Sequence, residues 1–96
     1  MRYVLHEDAA REHQEQIAYF EARAKNLGRR YHEAFLEAMR RICEAPDRFR
    51  IVQAPLRRLS LRGFPFSVIF REVNDHVRVV AVAPHRKRPD YWNSRD

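Results

Sequence analysis

Apolar residues recur along this chain with two different periods, and the period changes near the middle. Ala10, His13, Ile17, Phe20 and Ala24 follow one another at steps of three and four, so they share one helix face. Glu12, Glu15, Glu21 and Arg23 fall mostly elsewhere. Glu7 and Asp8 suit the start of this helix, where negative charge meets the positive end of the dipole. Asn26 and Gly28 mark its break. A second helical period runs through Leu27, Tyr31, Ala34, Phe35, Ala38, Met39 and Ile42 and stops before Pro46. Two helices joined so closely fold back as a hairpin, and each carries one apolar stripe that needs a cover.

Beyond residue 55 the period shortens to two. Residues 56–62 place Leu59 and Leu61 on one face and Arg58, Ser60 and Arg62 on the other. Gly63 makes a turn. Residues 64–73 put Phe64, Phe66, Val68 and Phe70 on one face, with Ser67, Ile69 and Arg71 opposite. Asn74-Asp75 is a tight-turn signal, and residues 77–83 are apolar on both faces, as a central strand should be. Residues 2–5 alternate weakly and fit a short first strand. The predicted order is β-α-α-β-β-β. This is an α+β fold with an antiparallel sheet, a helical hairpin on one face and a short C-terminal segment. The other face then presents Arg58, Ser60, Arg62, Ser67, Arg71 and Arg78 as an arginine-lined surface, with the segment from Arg86 running along or beside it.

Composition narrows the class of protein. Ninety-six residues make one domain, spanning 1–96, with room for two layers. No apolar run approaches the roughly 20 residues of a membrane span, and the N-terminus has no apolar core of a signal peptide, so a cytosolic protein without membrane contact is expected. Cys43 is the only cysteine and allows no internal disulfide. Charge is uneven: residues 1–50 hold ten Lys/Arg against nine Asp/Glu, whereas residues 51–96 hold nine against four. Nearly all of the net +6 therefore lies in the second half, a distribution that suits phosphate, nucleic acid or an acidic protein partner.

The candidate chemistry sits at the end of the last strand, in His85-Arg86-Lys87-Arg88-Pro89-Asp90-Tyr91-Trp92. His85 is a candidate general acid or base, the alternative being a strand-end histidine bonded to backbone. Arg86, Lys87 and Arg88 are a candidate phosphate clamp or a solvated basic turn. Tyr91 and Trp92 either stack on bases or pin the C-terminal segment to the core. Five histidines without metal-ligand spacing give no metal site, and no glycine-rich phosphate loop or nucleophile elbow is present. No cofactor is implied.

The element order, the run Phe64-Pro65-Phe66-Ser67-Val68-Ile69-Phe70-Arg71 and the closing run from His85 to Trp92, completed by Arg95, resemble the RelE/ParE toxin superfamily of type II toxin–antitoxin systems. The resemblance covers essentially the whole chain. It implies a small bacterial toxin that inhibits growth, as plasmid-stabilising systems do, and is held harmless by an antitoxin. One branch cuts mRNA on the ribosome and the other poisons DNA gyrase. A nuclease of the first branch needs two cations on the second strand, an arginine on the third, then an arginine and a tyrosine near the end. Carried over by position, Arg58 fits the first requirement, while Ser60 and Ser67 stand where two further cations belong. Arg86 and Tyr91 (or Trp92) fit the rest, with His85 or Tyr91 moving protons. Losing one preorganised charge typically costs about 10²–10³-fold in rate, which favours the gyrase-type branch over the nuclease. For that branch the expected target-binding residues are Arg58, Arg62, Arg71, Arg78, Arg86, Arg88 and Trp92. A third reading is a non-toxic basic binding module. All three imply an acidic antitoxin segment, steered by the basic half and folding as it docks.

Overall fold

A computed structural model describes residues 1–87 and 90–95, so Arg88, Pro89 and Asp96 lie outside the described residues. Strand β1 (Arg2–Leu5) leads into helix α1 (Glu7–Arg23) and helix α2 (Leu27–Glu44). Four strands follow: β2 (Arg50–Gln53), β3 (Leu56–Ser60), β4 (Phe66–Val73) and β5 (His76–Pro84). The order across the sheet is β1-β5-β4-β3-β2. The later strands pair antiparallel, and β1 returns parallel to β5 (Arg2 opposite His76, Leu5 opposite Val79). The expected α+β architecture is present with one strand more than predicted. β2 pairs with β3 at the sheet edge and all four of its residues are exposed, so it has no buried face to produce an alternating pattern.

Local chemistry sets the helix ends. His6 caps α1: its Nδ1 accepts a hydrogen bond from the Asp8 backbone N–H at 3.0 Å. Asn26, at φ 68°, makes the left-handed turn into α2. The N–H groups of Asn26 and Gly28 both donate to the Glu21 carboxylate at 3.0 Å, so α1 caps its neighbour. Gly28 lies inside α2 rather than at the break. A Cβ there would sit 2.5 Å from the Ile17 carbonyl oxygen, so the glycine permits close contact between the helices.

The hairpin covers one sheet face with the main core. Tyr31, Phe35, Met39 and Ile42 of α2 meet Val68, Phe70, Val77, Val79 and Val82. Each such side chain contributes about 1.5–3 kcal/mol by leaving water. A bulge organises the rest of the sheet. Ile69 pairs with Ala81 and Phe70 with Val79, leaving Val80 as the extra residue on β5. That extra residue turns Val80, Ala81 and Ala83 to the face away from the helices, where they join Leu56, Ile69 and Trp92 in a second apolar cluster. The expected arginine-lined surface is therefore interrupted by an apolar centre. The C-terminal segment crosses that face and seats Trp92, 7% exposed, on its apolar centre.

The segment ends in a short turn of helix, Asn93–Arg95, tied back to α1. Arg95 donates to both carboxylate oxygens of Glu12, at 2.7 and 2.5 Å. It also donates to the Val80 carbonyl at 3.2 Å, so the same guanidinium satisfies the bulge.

Candidate functional site

Three elements bring polar groups together beside Trp92. β3 supplies Arg58 and Ser60, β4 supplies Ser67, and the exit of β5 supplies His85. Alternation turns these strand residues away from the helices because Leu59, Phe66 and Val68 occupy the core side. Ser67 is the hub and is 2% exposed. Its Oγ accepts from Arg58 Nε at 3.1 Å, lies 3.2 Å from Ser60 Oγ and 2.9 Å from His85 Nε2. One hydroxyl has one proton, so the network has two settings. With Nε2 unprotonated, Ser67 donates to His85 and Ser60 donates to Ser67. With Nε2 protonated, His85 donates and Ser67 passes its own proton toward Ser60.

Arg58, Ser67 and His85 border a pocket of about 290 Å³, lined on other sides by Val52, Ile69, Lys87, Asp90 and Trp92. Lys87 Nζ stands 4.2 Å from the Tyr91 ring centroid and Arg95 stacks on the same ring at 5.0 Å. Burial, then the Glu12 carboxylate, pushes the Tyr91 phenol up to about 12, so at neutral pH it is a hydrogen-bond donor rather than a base. Burial likewise raises the Cys43 thiol, which works against a nucleophilic thiolate.

The residues predicted for the site do not gather in one place. Arg58 and His85 are brought together. Arg86 turns to the α1 side of His85 and borders a different groove. Tyr91 is half-buried beneath Lys87 and Arg95, and Trp92 pins the segment to the sheet. Arg62 lies exposed beyond the end of β3, where its charge helps hold the Glu37 carboxyl of α2 below its usual range, after the larger effect of Arg40. Arg71 and Arg78 are cross-strand neighbours four residues along β4 from Ser67, roughly 13 Å at the usual rise per residue. Arg88 lies outside the described residues.

Sequence reading placed Ser67 on the outward face, where a cation is missing, but missed it as the hub. It also missed Val52 and Gln53 of β2, which wall the pocket. The adjacent β-branched pair Ile51-Val52 was the available signal for that strand. Among the described residues, no group of three His, Cys, Asp or Glu side chains could hold a metal ion. No helix there is long and apolar enough to cross a membrane.

The hairpin, the five-stranded sheet and the C-terminal strap make a small α+β fold of the RelE/ParE kind. Residues 3–89 match the family described as the ParE toxin of the type II toxin–antitoxin system parDE, and the chain belongs to that family. It is thus a type II toxin, and the family implies an antitoxin partner. No curated protein matches the chain.

Proposed function

We propose that this toxin arrests growth by binding and blocking an essential bacterial machine, DNA gyrase being the leading target, and that an acidic cognate antitoxin neutralises it. The observation that carries this reading is the hydrogen-bond saturation of Ser67. Where an RNA-cutting relative needs cations, this chain has two hydroxyls, and the Nε of Arg58 is committed to a buried serine. Tyr91, one of the two candidates for proton transfer, has its phenol raised to about 12.

A ribosome-dependent RNA endonuclease is the second reading. It is favoured by one observation, that Arg58, His85 and Lys87 border the same pocket. Two measurements separate the readings. Purified chain is added to a gyrase supercoiling reaction, and RNA 5′ ends are mapped minutes after the chain is induced without antitoxin. Blocked supercoiling with intact transcripts is expected. Cuts inside translated codons with normal supercoiling would overturn the gyrase reading and make Arg58, His85, Arg86 and Tyr91 the residues to mutate. Normal growth on induction would leave only a binding role.

A further inference from the structure

On the α1 side of His85 lies a second, larger groove of about 800 Å³. Tyr19 forms one wall and is 50% exposed. Arg23 donates to the Tyr19 hydroxyl at 3.0 Å, with its guanidinium carbon 5.3 Å from the ring centroid. Pro65 and Phe66 line the floor, and His85 and Arg86 border the opposite wall. The lining carries two arginines against one acid, Glu15. His85 also borders the Ser67 pocket, so the two depressions meet at its ring and continue to Lys87 and Arg58.

We propose that this groove binds single-stranded nucleic acid, with a base stacked on Tyr19 and the backbone running past Arg23 and Arg86 over His85 toward Lys87. An exposed aromatic ring held by an arginine, with cations spaced along an open-ended track, combines the two features such binding needs. A peptide would use the apolar residues Phe20, Pro65, Phe66 and Pro84 of the lining, whereas its two arginines against one acid favour an anionic strand. RNA and DNA strands offer the same faces and phosphates, and the test separates them. The inference stands independently of the gyrase reading, because the assay contains no gyrase.

The test is fluorescence anisotropy of the full chain with labelled oligo-U and oligo-dT of about 12 nucleotides, within the usual site sizes of roughly 4–16. Saturable binding is expected at low salt, weakening as salt rises from about 50 to about 200 mM. Tyr19→Ala should weaken it by about 5- to 100-fold, and Tyr19→Phe, which keeps the ring, should restore most of it. Arg86→Ala should weaken binding and flatten the salt dependence. Tighter binding of oligo-U than oligo-dT assigns RNA, and the reverse assigns DNA. Circular dichroism checks that each variant is folded. Three results would overturn the proposal: no saturable binding at low salt, a folded Tyr19→Ala chain within twofold of wild type, or a duplex of equal charge bound as tightly. Loss of growth arrest in Tyr19→Ala with oligonucleotide affinity unchanged would overturn it too, by making the groove a protein-docking surface.

Discussion

The two faces of the sheet are held by different physics. On the helix side, Tyr31, Phe35, Phe70, Val77 and Val79 are fully or almost fully buried and pack in depth, many ring on ring, such as Tyr31 with Phe66 at 5.4 Å. On the other side a shallow cluster is covered by one indole, one arginine tether and a four-member polar network. The first face has many partners for each residue and loses little when any weak one fails. The second rests on a few directional contacts. Local stability follows such differences, and binding surfaces are drawn from the less stable end. The strap face is thus suited to recognition, and the hairpin face to holding the strands that present it.

The sharpest way to break this contrast is to empty the helix-side core. Phe70→Ala should cost about 3–5 kcal/mol in urea unfolding, because the cavity adds to the lost burial. A similar loss from Ser67→Ala would show that the two faces are equally cooperative, against the view taken here.

Acid should act on the helix side next. His13 is 4% exposed against Phe35, and burial, then the neighbouring His32, pushes its pKa down to about 4. The unfolded chain keeps a value near 6.5 and binds the proton first. Stability is therefore full above about 6.5 and falls as pH drops toward about 4, by on the order of 2–3 kcal/mol. His13→Phe should flatten that part of the pH profile. A profile unchanged by the substitution would place the acid sensitivity elsewhere.

On the strap side, Arg95→Ala removes the partner of Glu12 and the donor to the Val80 carbonyl. A cost of about 2 kcal/mol is expected for such a partly buried, charge-assisted contact. Trp92 is the chain's only tryptophan, so its fluorescence reports the strap directly. Its emission should shift to the red at a urea concentration below global unfolding. Coincident transitions would mean that the strap is as firmly held as the core. The smallest effect is expected at the exposed Arg40, which pairs with Glu37 and Glu44 on the helix surface. Arg40→Ala should leave the urea midpoint unchanged within error.

Much of this architecture was legible along the chain because burial imposes periodicity. Both helices, the turns at Gly63 and Asn74, and the side-chain alternation in β3 and β4 follow from spacing and from the conformations those turn residues accept. Two elements left weaker traces. β2 buries neither face, so its residues obey no period. The bulge at Val80 inserts a residue into an already apolar run, where a shift of register changes nothing visible in the pattern.

The site was legible only in part, and for a related reason. Arg58, His85 and the closing basic run stand out by residue type, and Arg95 by its place in the motif. Ser67 is chemically ordinary until β3, β4 and the end of β5 bring Arg58, Ser60 and His85 to one hydroxyl. Arg86 and Tyr91 sit in the same run as His85, yet a turn sends one to the α1 groove and packing draws the other beneath Lys87 and Arg95. The order of hydrophobic and polar residues by itself determined the two helices, their hairpin and the strands β3 to β5, charge counts gave the basic half, and the runs 64–71 and 85–92 carried the resemblance to the toxin superfamily. Only the tertiary structure decided which cations share a pocket, that Trp92 is an anchor and that Tyr19 faces an open groove. Periodicity records which face of an element is buried, whereas a site depends on distances between elements that no local pattern encodes.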